Sequence, residues 1–380
     1  MEVLIEKLDH FGRGICYVNG KICFVENALP TELVEINITK ETAKYLLGTV
    51  TKVIRKSKER TIPDCCYASI CGGCQLQHLT FESENNYKTF KIKEIMQKYA
   101  NITEDKVKGI VAIEPYHYRN KISFHIKNKR LGLYQKGSNE LVEIDKCLLL
   151  DTRLNGKIPN LKKELSQTNK NITMRVGNDT NELMITVDNK STHKHILSKI
   201  GKKEYLVSRE SFFQINKAIT KRLYDEIKQI IINNPTQNVL DLYCGTGTIA
   251  IYISDVATKV LGIESCQAAI KDANKNKMKN NSHNCSFLLG KVEKLTSEIT
   301  NQYDTVIVDP PRSGLDKKVI EKLLEISPHT IIYVSCDPVT LARDLKALKQ
   351  QYEVDYIRPY NMFPRTYHIE TLSVLHLKNN

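Results

Sequence analysis

The chain has 380 residues, 41% hydrophobic and 26% charged, which suits roughly two to three globular domains. Its net charge of +13 favours polyanionic partners through phosphate contacts, although a lysine-rich solubilising surface has the same effect on the sum. No run approaches the roughly 18 apolar residues of a membrane span, and Met1-Glu2-Val3-Leu4-Ile5-Glu6 has no signal-peptide pattern; a cytoplasmic protein is expected, whose eleven cysteines act as thiols, metal ligands or catalysts rather than disulfides.

Turn signals at Gly12-Arg13-Gly14, Asn19-Gly20-Lys21 and Leu29-Pro30 divide residues 1–55 into short strands. Val34, Ile36 and Ile38 alternate with Glu35 and Asn37, as in a half-buried strand. Such a segment suits a small barrel, for instance of the oligonucleotide-binding type. Residues 56–207 start basic and become cysteine-rich. A helix is predicted over Phe81–Tyr99 with Thr80 as its N-cap, followed by β-type alternation such as Lys121–Lys127. Over 208–380 the pattern changes. Short apolar runs at Val239–Leu242, Val260–Ile263, Thr305–Val308 and Ile331–Val334 alternate with helical stretches, the signature of a parallel sheet covered on both faces. No internal repeats occur.

The run Asp241-Leu242-Tyr243-Cys244-Gly245-Thr246-Gly247-Thr248 follows one of these strands and opens a helix. Its glycines permit a sharp turn and close approach of a ligand, and Glu264 ends the next strand, where an acid can bind ribose hydroxyls. Gly245, Gly247 and Ala250 also match a dinucleotide fingerprint, and a purely structural turn is a further alternative. Asp241 at the start of the turn, and Asp309-Pro310-Pro311-Arg312 at the end of another strand, favour S-adenosylmethionine instead. Methyltransferases acting on bases have such an acid and such a rigid segment.

Two further residues stand out. Cys336 directly follows an apolar strand, at a sheet edge where a thiolate could form with help such as a helix N-terminus from Val339 onward; the bland alternative is a buried structural cysteine. Glu370 closes the segment Phe363-Pro364-Arg365-Thr366-Tyr367-His368-Ile369-Glu370; a lone glutamate there is ordinarily a solvated surface residue, and His368 is a rival base or a loop-positioning residue. One thiol and one base are what methylation of uracil carbon 5 needs.

With these residues the chain resembles the RNA uridine-5-methyltransferases. The resemblance covers nearly the whole chain and rests on Ser211-Phe212-Phe213-Gln214-Ile215-Asn216, the glycine turn, Asp309–Gly314, Tyr333–Pro338 and Phe363–Glu370. It implies an α/β fold: a Rossmann-like S-adenosylmethionine methyltransferase domain, doubly wound, after an N-terminal TRAM barrel and a β-rich central iron–sulfur domain. It further implies that Cys336 is the nucleophile and Glu370 the base. Gln214, Tyr243, Thr248 and Glu264 would line the cofactor site around the Gly245 and Gly247 turn, and Asp309 would lie between cofactor and uracil. The sequence departs from the family pattern at Thr248 and Asn361, often Asn and Asp, and at Lys291, where an acid or amide often reaches the adenine.

Cys65, Cys71, Cys74 and the distant Cys147 form a four-thiolate set that suits a four-iron, four-sulfur cluster or a zinc ion. One three-cysteine group with a remote fourth departs from paired zinc hairpins and matches the family's iron–sulfur subgroup; Cys66 is a neighbouring alternative ligand. The remaining cysteines (16, 23, 244, 266 and 285) read as bland small hydrophobes. The TRAM segment and the cysteine set are together the arrangement of the ribosomal-RNA members, which implies 23S ribosomal RNA as substrate, with transfer RNA as the alternative and no protein partner for a monomeric enzyme. The target uridine would leave its stack, and Phe212 or Phe213 could stack on a base. Rival readings are a cytosine-5 methyltransferase, an amino-methylating enzyme and a non-catalytic RNA-binding factor.

Overall fold

A computed structural model describes residues 1–166, 170–234, 238–299 and 302–378. The first 55 residues form a six-stranded sheet in the order Glu2–Leu4, Leu33–Glu41, Leu46–Arg55, Lys21–Glu26, Gly14–Val18, Lys7–Leu8. Its edge strands are consecutive in the chain. Between them the Ile5 amide donates to Glu32 and the next amide, Glu6, to Ile15, both at 2.9 Å, so the segment bonds both edges and closes the sheet into a barrel. Val34 and Ile36 point into its core with Cys16, Cys23 and Val25, as the alternation predicts.

The helix Phe81–Ala100 forms where expected, and the Thr80 hydroxyl accepts from the Ser83 amide. Its apolar side, Ile92, Ile95, Met96 and Ala100, joins the core of the C-terminal sheet. An antiparallel six-stranded sheet occupies the middle of the chain, in the order Lys190–Ser191, Leu183–Val187, Asn171–Val176, Lys121–Lys127, Arg130–Tyr134, Leu141–Glu143. The hairpin His195–Ile200 with Lys203–Ser208 packs Ile196, Tyr205 and Val207 against the C-terminal sheet's other face.

That sheet has seven strands in the order Cys285–Leu289, Lys259–Glu264, Asn238–Leu242, Thr305–Val308, Thr330–Ser335, Glu370–Leu377, Tyr352–Tyr360. The first five are parallel and nearly continuously apolar, as strands buried on both faces must be. The expectation of a parallel sheet needs one correction. The last two strands form an antiparallel hairpin that inserts Glu370–Leu377 beside Thr330–Ser335. This places the chain's last strand next to the strand that leads into Cys336.

Candidate active site

The strand Asn238–Leu242 ends in a turn in which Tyr243, Gly245 and Gly247 all have positive φ (64°, 55° and 74°). A Cβ on Gly247 would stand 2.6 Å from the Phe287 ring, so the turn packs tightly behind. A Cβ on Gly245 would meet nothing within 4 Å, which leaves the front of the turn open to a ligand. Gln214, Tyr243, Gly245, Thr248 and Asp309 line one crevice together with Phe212 and Asp241. Glu264 stands against the same turn, its carboxylate accepting from the Gly245 amide at 3.2 Å and the Cys266 amide at 2.7 Å. Tyr243 donates to Glu293 at 3.1 Å, Thr248 shares a 2.8 Å hydrogen bond with Tyr224, and Lys291 is exposed. Asp241 is fully buried. One carboxyl oxygen accepts from the Ala250 amide, and the other has no partner. Burial and the nearby Asp309 hold its carboxyl well above the usual range. A buried orphan oxygen in an open-fronted crevice fits a ligand that brings hydrogen-bond donors and positive charge, as S-adenosylmethionine does.

Asp309 ends the strand Thr305–Val308, and burial pushes its carboxyl up to about 7. Beside it, Ser335 pairs with Thr371 across the antiparallel ladder. Continuing that register by one residue sets Cys336 opposite Glu370. Glu370 is 3% exposed, and burial followed by the charge of Asp309 holds its carboxyl well above the usual range. The Cys336 thiol is pushed up to about 12 by burial, then by Glu370 and Asp309, against a lowering by Arg312. The helix N-terminus expected to help it ionise is already capped. Asp337 accepts from the Val339 and Thr340 amides, each at 3.0 Å, because a short side chain at the N-cap outcompetes a thiol one residue earlier. Burial and the charge of Arg312 lower His368 to about 4, so it is neutral at pH 7.

The loop leading to Glu370 is clamped from a distance. Lys88, fully buried, donates to Glu84 at 2.8 Å, to the side chain of Asn361 at 2.7 Å and to the Phe363 carbonyl at 3.2 Å. Glu84 in turn accepts from the Arg365 amide. The Gln75 and Leu76 amides, directly after Cys74, donate to the Arg365 carbonyl. Lys91 bridges the His10 carbonyl (2.6 Å) and the Tyr367 carbonyl (3.0 Å). Sequence reasoning missed Glu84, Lys88 and Lys91. Its available signal was weak: three charged residues on the inward side of a helix whose exposed side is also mostly polar.

Cys65, Cys71, Cys74 and Cys147 all line one cavity, with Arg119 on its wall. Cys66 is exposed and outside it. The buried Arg119 Nε has no partner. Among the described residues, no three His, Cys, Asp or Glu side chains are grouped to hold a metal ion. Cys16, Cys23, Cys244 and Cys285 are buried, whereas Cys266 is exposed at the start of the helix Gln267–Lys279. Of the two phenylalanines considered for stacking, Phe213 is in the core and Phe212 is 66% exposed.

A Rossmann-like sheet with a glycine turn, a strand-end Asp-Pro-Pro and a TRAM-type barrel defines an S-adenosylmethionine-dependent RNA methyltransferase. Residues 148–378 match the family tRNA (Uracil-5-)-methyltransferase and residues 1–51 the TRAM domain. The chain belongs to that family. It is 31% identical to an RNA methyltransferase of Halalkalibacterium halodurans, whose own activity is uncharacterized, over 100% of this chain and 97% of that one. A similar RNA methyltransferase of Clostridium tetani is also 31% identical, over 96% and 93%. Among solved structures, the Pyrococcus abyssi tRNA (uracil-54, C5)-methyltransferase in complex with S-adenosyl-L-homocysteine superimposes with a TM-score of 0.82. It is 26% identical and aligns over 99% of this chain and 100% of its own. No helix among the described residues is long and apolar enough to cross a membrane.

Proposed function

We propose that this enzyme methylates carbon 5 of a uridine in 23S ribosomal RNA, with Cys336 as nucleophile and Glu370 as base. The observation that carries this reading is the juxtaposition of a thiol and a buried carboxyl on adjacent strand ends, with Asp309 acting electrostatically on both.

Cys336, once its proton is released to solvent, adds as the thiolate to carbon 6 of the uracil ring, and the electron pair of the carbon 5–carbon 6 double bond moves to give an enolate. Carbon 5 would then take the methyl group, whose bond to the donor's sulfonium sulfur breaks with the electron pair staying on that sulfur. Glu370 removes the proton from carbon 5, the double bond re-forms, and the Cys336 thiolate leaves. S-adenosylmethionine, held by Gln214, Tyr243, Thr248 and the Gly245 turn, supplies the methyl group and a positive charge beside Asp309. That charge favours the ionised forms of Cys336, Glu370 and Asp309, which burial disfavours in the free protein. His368, weakly basic and neutral, positions the loop. The target base must leave its stack to reach this recess.

The cavity lined by four cysteines supports a four-iron, four-sulfur cluster with Cys65, Cys71, Cys74 and Cys147 as ligands. Thiolates bound one to each corner of such a cluster need not converge as the ligands of a single zinc ion do. The orphan Arg119 Nε on the cavity wall fits an anionic group there. The cluster's contribution is structural, since methyl transfer involves no net redox step.

The cysteine cavity together with the TRAM barrel supports the ribosomal substrate. A second reading, transfer RNA, is favoured by the full-length likeness to the Pyrococcus abyssi enzyme, which extends through the N-terminal barrel. The two are separated by incubating the protein with S-adenosylmethionine and 5-fluorouridine-substituted 23S ribosomal or transfer RNA. Fluorine at carbon 5 cannot leave as a proton, so the covalent Cys336 adduct accumulates on a denaturing gel. A band with ribosomal RNA that is absent in Cys336→Ala is expected. A band with transfer RNA alone reverses the substrate assignment, and no band with either counts against the uridine chemistry.

A further inference from the structure

Phe11 belongs to the N-terminal barrel but lies outside its core, 41% exposed at the tip of the loop Asp9–Arg13. The loop is rigid. The Asp9 carboxylate accepts from the Phe11 and Arg13 amides at 2.9 and 2.8 Å and from the Arg13 side chain at 2.8 Å. Gly12 has φ +77°, and a Cβ there would stand 2.6 Å from Leu76. The loop is also anchored outside its own barrel. Tyr87 donates to the Asp9 carbonyl at 2.7 Å, and Lys91 ties the carbonyls of His10 and Tyr367 together.

This anchoring brings Phe11 to the active-site loop. The Tyr367 ring stands edge-on to Phe11 with centroids 5.4 Å apart, His368 lies 4.2 Å beyond Tyr367, and Phe363 lies 5.9 Å beyond His368. A continuous aromatic ribbon therefore runs from the barrel to the segment that ends at Glu370. The His10 ring leans on Phe11 with centroids 3.9 Å apart and Arg13 stands over the Phe11 ring at 5.2 Å, so the contact surface is the part of Phe11 these leave exposed; Lys91 is 5.7 Å from the Tyr367 centroid, and Arg312 is 3.4 Å from His368. An exposed, preorganised phenyl ring beside cations is the arrangement that stacks on a base while phosphates are neutralised nearby. A target uridine drawn out of its stack leaves a neighbouring base without its partner, and that base needs a new surface.

We propose that Phe11, braced by Tyr367, is a stacking platform for a base of the RNA substrate flanking the target nucleotide. This rests on the reading of Cys336 and Glu370 as the site that receives the target uridine. The barrel then contributes a base contact at the rim of the active site as well as phosphate contacts.

The chain contains no tryptophan, so Phe11→Trp gives a single fluorescent reporter. Its emission is expected to fall on titration with a single-stranded oligoadenylate, and to stay unchanged with an abasic ribose-phosphate chain of the same length. An equal response to both chains shows phosphate attraction alone and overturns the platform, as does no response to either. Phe11→Ala should weaken RNA binding by roughly five- to a hundredfold, the value of one base–aromatic stack, with S-adenosylmethionine binding and thermal stability unchanged and binding restored in Phe11→Tyr. The fluorouridine adduct provides a separate check. Adduct formed by Phe11→Trp without any change in emission overturns the platform and leaves the chemistry standing. A base-dependent emission change without an adduct in the unsubstituted enzyme overturns the uridine reading and leaves Phe11 as an RNA contact.

Discussion

Lys88 donates a 2.7 Å hydrogen bond to Asn361, across 273 residues of sequence, and so joins the helix Phe81–Ala100 to the loop that ends at Glu370. Lys88 and Glu84 are both fully buried. Lys88→Met should cost about 3–5 kcal/mol, because the buried Glu84 loses its nearest cation and keeps only the Asn361 amide, the Arg365 backbone amide and the Arg365 guanidinium at 3.7 Å. Urea unfolding measures it. A loss under about 1 kcal/mol would mean that Glu84 simply takes up a proton and that the clamp adds little.

Cys336→Ala and Glu370→Gln should differ in kind. The alanine variant should form no covalent intermediate and show only background turnover while keeping its fold. The glutamine variant can still add to carbon 6 and accept the methyl group, but it cannot take the carbon 5 proton. It should accumulate a covalent adduct on ordinary uridine RNA, with turnover lowered by about 10²- to 10⁴-fold. A denaturing gel with unsubstituted RNA decides this. If Glu370→Gln turns over normally, the base lies elsewhere, with His368 the first candidate.

Asp309 gives a pH signature. An unfolded aspartate titrates near 4, whereas burial lifts the folded group to about 7. Between those values the folded chain holds a proton that the unfolded chain has released, so this residue's contribution to stability falls as pH rises from about 4 to about 7 and stays low above. Asp309→Asn removes the effect. Its melting temperature should match the parent near pH 4 and exceed it at pH 8, at the expense of methyl transfer. Equal melting curves at pH 8 would show that Asp309 is ionised in the folded protein without penalty.

The four-cysteine cavity makes a compositional prediction. Protein purified without oxygen should carry about four irons per chain with a visible charge-transfer band, and Cys74→Ser should lose most of both. Since the amides of Gln75 and Leu76 hold the Arg365 carbonyl, loss of the cluster should also raise amide exchange in residues 361–368. One tightly bound zinc per chain and no iron would replace the cluster with a single-ion site.

Much of this molecule is set locally. Thr80 caps its helix, the glycine turn follows its strand, and Val34 and Ile36 face inward, because capping, positive φ and period-two alternation depend on residues within a few positions. The chemical groups were legible for the same reason: Cys336 follows an apolar strand, and Asp309-Pro310-Pro311 ends one. Their relationships were not. The antiparallel insertion of the last strand places Glu370 beside Cys336, and Asp337 takes the helix amides the thiol was expected to use. A lysine such as Lys88 looks like any solvated helix residue until a loop 273 residues away folds over it. Nothing local to Phe11 shows that Lys91 draws its loop against Tyr367. Local propensity acts through near neighbours. Burial, desolvation and pairing between distant charges exist only once the chain has closed around them.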